Sequence, residues 1–191
     1  MLTVRTALFF LGWAGWTIAI GILALPTMIS RRAVWCAAYV WARGTLVWLH
    51  VACGISSHVE GTEHLSSARI IASRHQSAWD TLILWCTLKN PMFVLKRELY
   101  FIPIFGWYLW RSGQIGIDRA NPKGAMERII AALNAPQHPQ RTLVIFPEGT
   151  RTPPGVHRAF RAGTGKISAS TQLAVVPAAL NAGLFWPKRP L

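Results

Sequence analysis

The chain has 191 residues, a net charge of +13 and a hydrophobic content of 52% that includes ten tryptophans. That length suits one domain with a substantial core. A soluble nucleic-acid binder could share the charge but not so large an apolar surplus, so the composition argues against nucleic acid and for a membrane surface with anionic head groups.

No Asp or Glu precedes Glu60, whereas Arg5, Arg31, Arg32 and Arg43 punctuate that region. Residues 6–30 are uncharged, long enough to cross a hydrocarbon core that needs roughly 20 helical residues. A membrane helix or half-embedded hairpin, a cleaved signal peptide and a core helix are the three readings. A signal peptide would want a shorter apolar core and a small-x-small cleavage site, which the Pro26 region offers poorly. A second apolar segment, 33–57, is interrupted by Arg43 and His50, and its Trp35, Trp41 and Trp48 suggest a helix in the interface or packed back on the first. The arginines after the first span outnumber those before it, which places the downstream domain in the cytoplasm at the inner membrane. A re-entrant hairpin would instead leave that domain on the side of the N-terminus. Residues 1–58 are thus expected to form the membrane element and 59–191 the main domain. Cys36, Cys53 and Cys86 have no metal-like spacing and apolar neighbours. They read as buried reduced thiols, with neither disulfides nor zinc indicated.

Beyond residue 58, short β-like runs alternate with helical ones. "RIIAS" (69–73) precedes a helix expected over about 77–88, and "MFVLK" (92–96) precedes the aromatic segment 98–112, where Pro103 and Gly106 are expected to break the helix. "QIGID" (114–118) precedes a helix starting near Asn121 with Pro122 at its first position. "TLVIF" (142–146) leads into a Pro/Gly-rich loop, a helix near 162–172 and the run "AVVPAAL" (174–180). The alternation implies an α/β domain whose mixed, largely parallel sheet is flanked by helices. Functional residues then belong at the carboxyl ends of the strands. Those ends carry Arg74 and His75, Lys96 and Arg97, Asp118 and Arg119, and the run Pro147–Arg151.

Each of these residues also has a bland reading. "SAWD" (77–80) fits a capping box in which Ser77 caps the helix and Asp80 folds back on it. Inside one helix His75 and Asp80 would stand about 140° apart and could not touch. They can meet only if His75 lies on the loop before the helix and turns back over its first turn. Cap and dyad are then compatible, and the carboxylate would make His75 a positioned general base. In "FPEGTR", Gly149 permits a turn that exposes N–H groups to an anion, and Arg151 offers a planar fork for phosphate oxygens. A plain strand-end turn is the alternative there, as solvated charges are for Lys96 and Arg119.

"HQSAWD" (75–80) resembles the H-x4-D motif of glycerolipid acyltransferases, and "FPEGTR" (146–151) matches another block of that family. "GQIGIDR" (113–119) and "VVPAAL" (175–180) resemble two further blocks. "KREL" (96–99), "FGWYLW" (105–110) and "GLFWP" (183–187) are similar to bacterial 1-acylglycerol-3-phosphate acyltransferases. The resemblance implies transfer of a fatty acyl group from acyl carrier protein or coenzyme A to the free hydroxyl of lysophosphatidic acid, with no further cofactor and no metal. It makes His75 the base and Asp80 its orienting partner. It makes Glu148, Gly149, Thr150 and Arg151 the lining of the acceptor site, with Lys96 and Arg119 near the phosphate. Arg161 and Gly163 stand in a Lys-x-Gly element, Arg replacing Lys, and Arg74 stands where many relatives carry Asn. It also implies a further strand and helix after residue 187, which a chain ending at Leu191 does not hold. The rival readings are an acyltransferase for another lysolipid and a non-catalytic membrane-associated fragment.

Overall fold

The computed structural model describes residues 2–65, 67–136 and 141–187. Two long helices open the chain, α1 (Leu2–Leu23) and α2 (Arg31–Cys53), joined by a 3-10 turn over Leu25–Ile29. Gly54, at φ +73°, supplies the left-handed residue that ends α2. The pair runs antiparallel and interlocks through tryptophan and glycine. A Cβ at Gly12 would lie 2.4 Å from the Trp48 indole, and one at Gly44 would lie 2.4 Å from Trp16. Both indoles reach a polar partner across the hairpin: Trp48 Nε1 donates to the Phe9 carbonyl and Trp16 Nε1 to the Trp41 carbonyl, each at 3.0 Å. The second apolar segment therefore packs back on the first.

α1 is apolar nearly all round, and only 6% of its span from Val4 to Leu23 is buried. Val4, Leu8, Leu11, Ile18 and Ile22 stand exposed along one face at helical spacing. By length and composition this helix can cross a membrane. Its packing, however, holds it along the domain at both ends. Arg5 Nε donates to the Ala52 carbonyl at 2.9 Å, and Trp186 meets the rings of Phe9 and Trp13 edge-on at 4.9 and 5.4 Å. At the other end Tyr108 donates its hydroxyl hydrogen to the Gly21 carbonyl at 3.1 Å, and Arg111 Nε donates to the Met28 carbonyl at 2.8 Å.

Strands and helices then alternate: β1 (Ile70–Ser73), α3 (Trp79–Thr87), β2 (Pro91–Lys96), α4 (Phe105–Arg111), β3 (Ile115–Ile117), α5 (Pro122–Asn134), β4 (Thr142–Ile145), α6 (Gly163–Thr171) and β5 (Val175–Ala178). They build one five-stranded sheet in the order β3-β2-β4-β1-β5, every neighbouring pair parallel. Successive residues of a strand point to opposite faces, which divides the core in two. Ile70, Met92 and Leu143 pack with Ile129, Leu133 and Ile167 of α5 and α6, while Ile71, Phe93 and Val144 pack with Leu84 and Leu88 on the α3 side. The far side of α3 meets the hairpin, Leu82 packing with Leu46 and Leu49. Pro177, which has no N–H to give a ladder, sits on the edge strand β5.

Arg141, 5% exposed, ties hairpin to sheet. Its guanidinium donates to the carbonyls of Gly113 (2.8 Å), Pro91 (3.2 Å) and Ser112 (3.2 Å) and lies 5.3 Å from the centre of the Trp35 ring. Burial, with Arg31 nearby, pushes its pKa down to about 10, so it remains charged at neutral pH.

Two expectations are corrected. Cys36 is exposed, and Cys53 and Cys86 are half-buried, because the apolar neighbours of Cys36 form the outside of a hairpin rather than a core. Burial still pushes the Cys86 thiol pKa up. The aromatic segment does break near Pro103, where Ile104 takes φ +64°, between a 3-10 helix over Arg97–Phe101 and α4. Gly106, by contrast, lies inside α4. A Cβ there would fall on the Tyr100 carbonyl oxygen, so close approach rather than helix breaking explains it.

Candidate active site

β1 and β4 are sheet neighbours, although 68 and more residues separate them in sequence, with Ile70 in register with Leu143 and Ala72 with Ile145. Their carboxyl ends therefore deliver the loops 74–78 and 146–151 side by side. His75 lies on the first loop, before α3, and turns back over the start of that helix. Its Nδ1 stands 2.9 Å from Asp80 Oδ2, with Asp80 fully buried. The same carboxylate oxygen accepts the backbone N–H groups of Gln76 (2.6 Å) and Ser77 (2.9 Å). Ser77 Oγ in turn accepts the N–H of Trp79 at 3.1 Å. One cluster both satisfies the N–H groups at the start of α3 and forms a His–Asp pair, although Ser77 Oγ accepts from Trp79 rather than from Asp80 as a full capping box would have it. An ionised carboxylate only accepts, so Nδ1 carries the hydrogen and Nε2 is the basic nitrogen.

Two further contacts fix the imidazole loop. Phe146 stacks on the His75 ring with centroids 4.0 Å apart and planes 17° from parallel. The carbonyl of His75 accepts the Thr152 N–H at 2.7 Å. The sequence marks position 146 as the end of a strand and the start of the "FPEGTR" block. An aromatic immediately before Pro147 was the signal, but nothing local says which ring it would face.

The His75 ring lies on the wall of a cavity of about 1380 Å³. Lys96, Arg119, Arg151 and Arg161 line it, as do Gly149, Thr150 and Gly163. Lys123 and Lys166, which no motif in the sequence marks, add two further cations. Asp118 is the acidic member of the lining among the described residues, and Arg97 pairs with it at 3.2 Å. Away from the cations the wall becomes apolar, formed by Ile18 and Ile22 of α1, Trp41 of α2, Ile104 just before α4 and Leu109 within it. One continuous space thus joins a cationic end, a histidine and the hairpin. Among the described residues, no group of three or more His, Cys, Asp or Glu is placed to hold a metal ion.

Two of the expected residues stand back from this wall. Asp80 sits behind His75, as an orienting carboxylate should. Glu148 is 1% exposed and turned away from the cavity lining, with Arg74 Nε 3.5 Å from its Oε1. Gly149, next after Glu148, takes φ +69°, and a Cβ there would lie 3.0 Å from Arg161 Nε. Glycine at 149 therefore permits both the left-handed turn and the Arg161 side chain lying against it.

Residues 56–181 match the family described as Acyltransferase. A 1-acyl-sn-glycerol-3-phosphate acyltransferase of Pseudomonas aeruginosa is 34% identical over 189 residues, covering 97% of this chain and 74% of that protein. One from Cocos nucifera is 33% identical over 148 residues, 76% of this chain but 47% of its own length. The fold is similar to the crystal structure of the 1-acyl-sn-glycerophosphate acyltransferase PlsC from Thermotoga maritima, with a TM-score of 0.66 over 98% of this chain and 78% of that one, at 23% identity. The chain belongs to the acyltransferase family.

Proposed function

We propose that this chain is a 1-acylglycerol-3-phosphate O-acyltransferase. It moves a fatty acyl group from a thioester, on acyl carrier protein or coenzyme A, to the free hydroxyl of lysophosphatidic acid and yields phosphatidic acid. The observation that carries the reading is the His75–Asp80 pair at 2.9 Å on the wall of a cavity that is cationic at one end and apolar toward the hairpin. A phosphate-bearing lipid asks for both ends of such a cavity.

In the reaction, Nε2 of His75 removes the hydroxyl proton as the glycerol oxygen attacks the thioester carbonyl carbon. Asp80, hydrogen-bonded to Nδ1, stabilises the imidazolium that forms and holds the ring in the productive tautomer. The tetrahedral intermediate collapses, its C–S bond breaks, and the departing thiolate takes the proton back from His75. The nucleophile is the lipid alcohol itself, so no protein serine or cysteine needs to be acylated. Arg151, Arg161, Lys96 and Arg119 offer charge-assisted hydrogen bonds to the phosphate. Gly149 and Thr150 shape the turn that carries Arg151, and Gly163 opens the helix beside it.

The hairpin serves as the membrane element, lying with its exposed apolar face in one leaflet while the domain sits in the head-group region. Its two ends are fastened to the domain, which favours a half-inserted pair over a single crossing. We place the domain on the cytoplasmic side of the inner membrane.

The test is incubation of the purified full chain with labelled lysophosphatidic acid and each donor in turn. Phosphatidic acid should appear, and His75→Ala should slow it by about 10²–10⁴-fold, the contribution of a positioned base. No product with either donor, or a His75→Ala protein working at the parental rate, overturns the proposal.

A further inference from the structure

Glu148 raises a problem of charge. It belongs to the turn that carries Arg151, yet its carboxylate is 1% exposed and neither oxygen accepts a hydrogen bond. A buried carboxylate so placed is costly unless a cation stands against it. Arg74 is that cation, with Nε 3.5 Å from Glu148 Oε1. That Nε is itself buried and has no hydrogen-bond acceptor, so the two groups answer each other's charge.

Arg74 also reaches the neighbouring segments. Its Nη2 donates to the Val156 carbonyl at 3.1 Å, and its backbone N–H donates to the Ala178 carbonyl at 3.2 Å. Arg74 thus gathers β1, the end of β5 and the loop beyond residue 151 around Glu148. It directly precedes His75, and Glu148 lies three residues before Arg151.

We infer that Arg74 and Glu148 are positioning residues. Their ion pair sets the spacing between the loop that holds the base, His75, and the loop that holds the phosphate ligand, Arg151, and Glu148 does not touch the acceptor. A carboxylate on the acceptor wall would repel a phosphate, and this one is turned into the protein instead. The inference rests on the acyl-transfer reading above.

The experiment is a double-mutant cycle on the full chain, with Arg74→Gln, Glu148→Gln and the double variant assayed beside the parent. Arg74→Gln leaves the buried Glu148 carboxylate without its cation, and Glu148→Gln leaves Arg74, 30% exposed but with a buried Nε, without its counter-charge. Displacement of the base from its productive position can cost up to about 100-fold. Each single variant should therefore lose on the order of tenfold to 100-fold in kcat, with KM for lysophosphatidic acid within about threefold of the parent. The double variant, with neither charge, should regain about tenfold over the worse single. Arg74→Lys keeps the charge but not the fork that also reaches the Val156 carbonyl, so it should recover part of the kcat that Arg74→Gln loses. The melting temperatures should follow the same pattern, so the coupling is read even where turnover is absent. An inert parent counts against the acyl-transfer reading. An active parent counts against the pair in any of three cases: the two single losses multiply in the double variant, Glu148→Gln raises KM while kcat stands, or Arg74→Lys behaves like Arg74→Gln.

Discussion

His75 gains its reactive nitrogen from what surrounds the other one. Asp80 receives three hydrogen-bond donors on a single oxygen, from Gln76, Ser77 and His75. Asp80→Asn keeps an oxygen that can accept the two backbone N–H groups but removes the charge that favours the imidazolium. We expect kcat to fall by about 10²–10⁴-fold while the secondary structure, read by circular dichroism, is kept. A variant with unchanged kcat would show the pair to be only a helix cap. Arg151 makes a different prediction. Arg151→Ala should raise KM for lysophosphatidic acid by about 10- to 100-fold, the worth of a charge-assisted hydrogen bond, and leave a neutral lysolipid's KM alone. Equal losses for both acceptors would argue for a structural arginine. At this scale the sequence was informative where a residue's chemistry and its near neighbours coincide: the five-residue spacing of His75 and Asp80 across a strand–helix junction already limited how they could meet. It was silent on Phe146 facing His75 and on Arg74 facing Glu148, since both are contacts across neighbouring strands.

The elements were legible to a similar degree. Every strand and helix expected after residue 68 is present, with ends that shift by no more than two residues, because hydrophobic period and turn residues act locally. The order of the strands is a property of the whole sheet, and no local pattern says that β4 lies between β2 and β1. Glycine was misjudged for the same reason. Gly106 was expected to break a helix, yet it admits the Tyr100 carbonyl, and the indoles packed over Gly12 and Gly44 belong to the opposite helix. The interlock gives a testable consequence. Gly44→Leu forces a branched side chain into the space held by the Trp16 indole, 2.4 Å from where a Cβ would begin. Overpacking of this kind costs about 1–3 kcal/mol, so the melting temperature in detergent should drop by several degrees. Gly15→Leu, with open space around the Cβ, is the control and should shift it far less.

The whole molecule joins a net charge of +13 to an exposed apolar helix face. These two attractions respond differently to salt. Binding to vesicles that contain anionic lipid should weaken as ionic strength rises, because head-group attraction is screened beyond about 10 Å at 0.1 M salt. It should not vanish, because transfer of the exposed Leu8, Leu11 and Ile18 side chains into hydrocarbon would be insensitive to charge. Leu8→Ser with Leu11→Ser should make the remaining binding salt-labile, as measured by co-sedimentation. Complete release of the parent protein by salt would deny the hairpin its role. The position of β4 carries a temporal consequence. Chains fold from the N-terminus as they are synthesised, so the hairpin leaves the ribosome early, whereas β4 must later slot between two strands already made. Until residues 142–151 emerge, the imidazole has no arginine loop opposite it. In a chain emerging in that order, the apolar hairpin is complete well before the cationic loop that comes to face His75.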